Sequence, residues 1–120
     1  MANILAVDDS VSIRTLVSAT LEGAAHSVVL AENGEDALSV AEKKAVELVI
    51  TDVNMPGMNG IELVGKLREL PTYKFVPILV LTTEMDPAKK SAAKAAGATG
   101  WLVKPFDPDI LLKTVAKVLG

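Results

Sequence analysis

The feature that most constrains this chain is a rhythm. Five short, continuous apolar runs alternate with longer amphipathic stretches. The runs are Ile4-Leu5-Ala6-Val7, Val28-Val29-Leu30-Ala31, Leu48-Val49-Ile50, Ile78-Leu79-Val80-Leu81 and Trp101-Leu102-Val103. They are rich in β-branched residues and do not alternate apolar with polar, the pattern expected of strands buried on both faces. Between them the apolar residues recur at helical spacing. Ile13, Leu16, Val17 and Thr20 fall on one helix face, as do Ile61, Val64 and Leu67, and Leu111, Val115 and Val118. Start and stop signals agree. Ser10 can cap the first helix, Asp86-Pro87 and Asp107-Pro108 each set a capping acid before a proline, and Gly97 stands where a helix has to end.

Five β-α units in succession predict an α/β fold, doubly wound, with a parallel sheet and helices on both faces. The 120 residues fit one domain, residues 1–120. Half of the residues are hydrophobic but only 3% are aromatic, so the core has to be aliphatic. No cysteine is present, which excludes a disulfide framework, a thiol nucleophile and a Cys-ligated metal. No segment approaches the ~20 apolar residues of a membrane span, and the first residues, MANILAVDDS, are not a signal peptide. A cytoplasmic protein is the expectation. The net charge of −3 argues against general nucleic-acid affinity. That charge is unevenly spread: residues 1–85 hold 6 Lys/Arg against 12 Asp/Glu, and residues 86–120 hold 6 against 3.

In doubly wound sheets ligands bind beyond the carboxyl ends of the strands. Here strand one ends in Asp8-Asp9, strand three in Thr51-Asp52, strand four in Thr82-Thr83 and strand five in Lys104-Pro105. A parallel sheet brings these ends to one edge, where three carboxylates, a hydroxyl and an ammonium converge. Any one Asp at a strand end is commonly a helix cap or a turn residue. The order of acid pair, single acid, hydroxyl and Lys-Pro is far more specific. Clustered carboxylates repel one another, and a hard divalent cation such as Mg²⁺ offsets that repulsion with oxygen ligands. Lys104 and Thr82 add a cation and a donor for a phosphoryl group, and one carboxylate could form an aspartyl phosphate.

The segments LAVDDS, TDVNMPGMNGIEL, VLTTE and GWLVKPF give the chain a resemblance, over essentially its whole length, to the receiver domains of two-component response regulators. Among these it is most similar to the stand-alone chemotaxis receivers of the CheY type. The resemblance implies strand order 2-1-3-4-5, a phosphoacceptor at Asp52, and Mg²⁺ held by Asp9 directly, by Asp8 through water, by Asp52, and by the backbone carbonyl of Asn54. It implies that Thr82 and Lys104 bind the phosphoryl group, and that the Lys104-Pro105 bond is cis. Asn54 and Glu84 stand where the family tunes phosphoryl lifetime. Trp101 stands where the family usually has Tyr or Phe, on the aromatic that swings inward with the switch Thr. An indole is larger, so that swing would be partial or absent, or Trp101 is simply a half-buried strand residue.

The implied role is a signalling phosphoacceptor, not an enzyme in the ordinary sense. It would take its phosphoryl group from a histidine kinase and change partner binding by a population shift. The output face would be helix four, strand five and helix five, with a flagellar-motor switch protein as the chemotaxis partner. Helix four, DPAKKSAAKAAG, offers almost nothing bulkier than Ala to the core and should be weakly held, although Ala-rich helices also simply pack close. Lys90 and Lys94 share one of its faces, and Lys113 and Lys117 share a face of helix five; they make either a docking surface for an acidic partner or a solvated face. With no output domain in the sequence, a phosphorelay intermediate or a phosphate sink is an alternative role. A phosphatase of the haloacid-dehalogenase type is disfavoured, because Asp52-Val53-Asn54 lacks the second acid. Gly60 to Leu67 nearly matches a P-loop but lacks the Ser or Thr that Mg²⁺ requires, and His26 has no acid or nucleophile beside it in sequence.

Overall fold

The structure is a computed structural model that describes residues 2–83, 87–104 and 106–120. The expected cap Asp86, the lifetime position Glu84 and the expected cis bond at Pro105 lie outside the described residues. Among those described, the strands are β1 (Asn3–Val7), β2 (Ser27–Ala31), β3 (Leu48–Asp52), β4 (Ile78–Thr82) and β5 (Gly100–Val103). The helices are α1 (Val11–Gly23), α2 (Gly34–Lys43), α3 (Gly60–Glu69), α4 (Pro87–Ala96) and α5 (Pro108–Leu119), with a short 3₁₀ turn at Pro71–Tyr73. The strands form one parallel sheet in the order β2-β1-β3-β4-β5, as the family resemblance implies.

Two cores lie on opposite faces of the sheet. One joins Leu5, Val7, Val49 and Val80 to Ala37 and Ala41 of α2, to Leu63, Val64 and Leu67 of α3, and to Ala93 of α4. The other joins Ile4, Ala6, Ile50, Leu79 and Leu81 to Val17 and Leu21 of α1 and to Leu111 and Val115 of α5. Burial on both faces holds for the central strands, where every residue of β3 and β4 is buried. It does not hold for the edges. In β2 only Ala31 is buried, and in β5 only Leu102. An edge strand has a neighbour on one side only, so its apolar run over-reports its burial.

The caps follow the sequence. Ser10 accepts from the Ile13 N–H, Asp107 accepts from the Asp109 N–H, and Gly97 ends α4 at φ +113°. The Gly60 to Leu67 stretch is the body of α3, which removes the P-loop reading. Asn59 and Glu62 make a reciprocal capping box at its start. One helix face needs correction. Leu16 is 45% exposed, and α1 packs instead through Val17 and Leu21, with Ile13 partly buried against them. Ile13 and Val17 lie on the packed stripe as expected, whereas Leu21 and not Leu16 completes it.

Candidate functional site

The parallel register carries the predicted residues to one edge. Val7 pairs with Thr51, Asp52 with Leu81, and Thr82 with Val103, so the acidic, hydroxyl and basic ends stand side by side. Carboxylate oxygens of Asp8, Asp9 and Asp52 lie within 4.8 Å of one another. Asp8 and Asp52 are buried, as is Thr82, while Asp9 is exposed. Lys104 bridges the two buried acids, with its Nζ 2.8 Å from Asp8 Oδ2 and 3.1 Å from Asp52 Oδ1. The Lys104 N–H donates to the Thr82 carbonyl at 2.8 Å, so the loop after β5 continues the sheet up to the ammonium.

The backbone around the acids is fixed from several sides. Asp8 Oδ1 accepts from the Ser10 N–H at 2.9 Å, and the Arg14 guanidinium donates to the Asp8 carbonyl. The start of α3 lies directly against the end of β3. The Gly60 N–H donates to the Val53 carbonyl at 2.9 Å, and a Cβ at Gly60 would stand 2.0 Å from the Asp52 carbonyl oxygen. Only glycine permits that approach, which sets how α3 meets the end of β3.

The electrostatics follow from burial and crowding. Desolvation and the neighbouring Asp8 carboxylate push the Asp52 carboxyl above its usual range, and Lys104 partly opposes them. Burial pulls the Lys104 ammonium down, but its bonds to Asp8 and Asp52 outweigh this and raise it above its ordinary 10.5. Asp8 Oδ2 is buried and accepts no well-aligned hydrogen bond among the described residues, so the ion pair to Lys104 is its compensation. An all-oxygen trio of this kind could hold a hard divalent cation.

The remaining predicted residues spread outward. Asn54 is exposed on the loop after β3, and its Oδ1 accepts from Lys89 Nζ of α4 at 3.4 Å. Trp101 is 36% exposed, with Lys90 Nζ 4.9 Å from its ring centroid. Behind it, Val53, Val80, Thr82 and Ala93 line a space of only about 10 Å³. A more open cleft of about 250 Å³ begins at Asp9 and runs past Glu32, Asn33, Glu35, Pro56 and Met58. His26 is not near the acids; its Nδ1 accepts from the Ala2 N–H at the opposite end of the sheet.

The response regulator receiver domain model matches residues 4–116, nearly the whole chain. This chain belongs to the response regulator receiver family. It is 42% identical over 119 residues to the "Chemotaxis protein CheY homolog" of Campylobacter jejuni, covering 98% of this chain and 92% of the relative. It is 37% identical to "Protein PilH" of Pseudomonas aeruginosa over 100% of this chain and 99% of that one. Among solved structures, the Vibrio cholerae chemotaxis protein CheY4 superposes with a TM-score of 0.96 at 55% identity, covering 98% of both chains. The receiver is therefore a signalling domain with CheY-like relatives. Among its described residues no helix is long and apolar enough to cross a membrane.

Sequence reasoning missed three residues that shape the receiver. Arg68 of α3 reaches four backbone carbonyls: it donates to Gly97 at 2.8 Å, Tyr73 at 2.7 Å, Val76 at 2.6 Å and, at 3.4 Å, Lys74. The Tyr73 hydroxyl, fully buried, lies 2.9 Å from the Ala41 carbonyl and 2.8 Å from that of Lys44. Lys89 meets Asn54. Each makes at least one contact to a backbone or loop group about thirty residues away, and no local pattern announces such contacts.

Proposed function

We propose that the receiver accepts a phosphoryl group on Asp52 from a histidine kinase and thereby changes which partner it binds. The observation that carries this reading is the single edge holding Asp8, Asp9, Asp52 and Lys104 within contact distance. A raised Asp52 carboxylate is more basic than a free one and a better nucleophile once ionised. In the transfer, an Asp52 Oδ forms a bond to phosphorus while the bond from phosphorus to the phosphohistidine nitrogen breaks. The leaving imidazole then takes its proton from solvent.

The residues present fit Mg²⁺, with Asp9, Asp52 and the Asn54 backbone carbonyl as direct ligands and Asp8 acting through water. When bound, the ion supplies charge neutralisation for the phosphoryl oxygens. Lys104 holds Asp52 in place and binds a phosphoryl oxygen from the protein side, and Thr82 donates its hydroxyl to another.

Switching would pass through α4, β5 and α5. The space behind Trp101 is far too small for an indole, so the ring cannot swing inward unless α4 shifts with it. The output face carries Trp101, Val103 and Ile110 as exposed apolar residues near Lys90, Lys94, Lys113 and Lys117, a surface suited to an acidic amphipathic segment. The chemotaxis relatives favour a flagellar-motor switch protein as the partner. A relay or sink role uses the same site chemistry and differs only in what binds afterwards.

The test is intact mass after incubation with acetyl phosphate and Mg²⁺. The wild type should gain one phosphoryl group, and Asp52→Asn and a chelated sample should gain none. A wild type that stays unmodified with phosphorylated histidine-kinase domains as well sinks the reading.

A further inference from the structure

We propose that the outer edge of β2 is a self-association surface, on which the β2 of a second copy of this chain pairs antiparallel to make one continuous sheet. Among the described strands β2 pairs with β1 alone, so its other edge is open. The Ser27 N–H donates to the Ala2 carbonyl at 2.9 Å, and the Ala31 carbonyl accepts from the Asp8 N–H at 3.1 Å. Those residues therefore turn their backbone groups toward β1. By the two-residue period of a strand, Val28 and Leu30 turn their N–H and C=O groups outward. Natural edge strands are commonly guarded against pairing by a charge or a proline. The strand itself, SVVLA, holds neither.

The occupant follows from the edge's own complementarity. The stretch HSVVLAE, from His26 to Glu32, matches its own reverse about Val29. In that register Val28 of each copy stands opposite Leu30 of the other. Both residues have outward backbone groups, so they exchange hydrogen bonds in both directions, and Val29 meets its own copy in the closer, non-bonded position. Leu30 is 42% exposed and lies on the same face as Val28, which would cover it from the other copy. At each end His26 falls opposite Glu32. His26 Nδ1 accepts from the Ala2 N–H, which leaves a proton on Nε2 to donate to that carboxylate. Helices α1 and α2 lie over β1 and β2 on opposite faces. Each would meet its copy at ~10 Å, an ordinary helix-packing distance. The two β5 strands then stand at the outer ends of the joined sheet. Such an assembly offers its α4, β5 and α5 surfaces in pairs, which strengthens binding to any partner that repeats its docking segment. The proposal is independent of the reading of Asp52 as phosphoacceptor.

The experiment is sedimentation equilibrium of the full chain up to about 1 mM, the range suited to a small interface. The wild type should dimerise with a dissociation constant on the order of 100 µM, and Val28→Pro should bind itself at least tenfold more weakly. That proline removes an N–H that no bond to β1 uses, and amide spectra check that the variant is folded. A wild type that is monomeric throughout leaves the edge to solvent or to a foreign strand and overturns the proposal. So does a folded Val28→Pro that dimerises like the wild type, since the interface would then lie elsewhere. A second arm stands on its own should Val28→Pro not fold. The chain has no cysteine, so Val29→Cys places its only thiol on the axis, and Ser91→Cys places one on the exposed surface of α4. In a glutathione redox buffer Val29→Cys should become mostly disulfide-linked dimer and Ser91→Cys should stay mostly monomeric. Equal dimer fractions in the two variants overturn the proposal.

Discussion

Helices α3 and α4 lie side by side on the same face of the sheet and are held in very different ways. α3 buries Leu63, Val64 and Leu67 completely, and its N-terminus is closed by the Asn59–Glu62 capping box. Each of those side chains contributes about 2 kcal/mol through burial. α4 buries Ala93 alone among its described residues, and Ala88, Ser91, Ala92, Lys94 and Ala95 are exposed. The difference separates two tasks. α3 presses Gly60 against the Asp52 backbone and fixes the proposed acceptor, whereas α4 buries little apolar surface. Arg68 links the two. It extends from α3 to the Gly97 carbonyl, so α4 is pinned at its C-terminal end.

The sharpest way to break this comparison is to weaken each helix in turn. Leu63→Ala should cost about 3 kcal/mol in chemical denaturation, whereas Ala93→Gly should cost about 1 kcal/mol. Equal costs would mean that α4 is no more loosely held than α3. Lys104→Met comes next. It strands two buried carboxylates and should cost about 2 kcal/mol at neutral pH, below the usual range for a buried pair because the ammonium is partly solvated. Since the folded-state ammonium is raised, its stabilisation is present at neutral pH and is lost only as pH rises through a value above 10.5. Wild type and variant should therefore converge in strongly alkaline solution.

Arg68→Met tests the pin. It removes a donor from several carbonyls and should cost about 1.5 kcal/mol. Hydrogen exchange should speed up selectively around Gly97 and Ala98, and uniform acceleration across the sheet would contradict a local anchor. The smallest effect expected is a gain. The folded carboxyl of Asp52 is raised, so its ionisation works against folding, and stability falls as pH rises through the folded value. Asp52→Asn should therefore raise the melting temperature at neutral pH by a few degrees and leave it unchanged in acid below 3.8, where the carboxyl is protonated in both states. A lower melting temperature at neutral pH would show that the attraction of Lys104 outweighs burial and Asp8.

Much of this was legible in the linear order. The apolar runs located every strand to within two residues at either end, and the residues just after them named the acids, the hydroxyl and the ammonium that now stand together. The small side chains of α4 agree with its burying Ala93 alone among its described residues. Less legible were features set by neighbours. The run Val28 to Ala31 reads like Leu48 to Ile50, yet the first sits at an edge and the second at the centre. Leu16 and Leu21 fit the same helical period, and only the sheet beneath α1 chooses between them.

The sequence by itself determined the β-α rhythm and the chemistry at the strand ends, because hydrophobic period and residue type are local properties of the chain. Tertiary structure alone decided that Lys104 is shared between Asp8 and Asp52, that Gly60 meets the Asp52 carbonyl, that Arg68 pins α4, and that Lys89 reaches Asn54. Apart from the Gly60 contact, which closes the loop between β3 and α3, each of these joins elements separated by a crossover. Its distance is set by strand register and helix packing, which no run of neighbouring residues encodes.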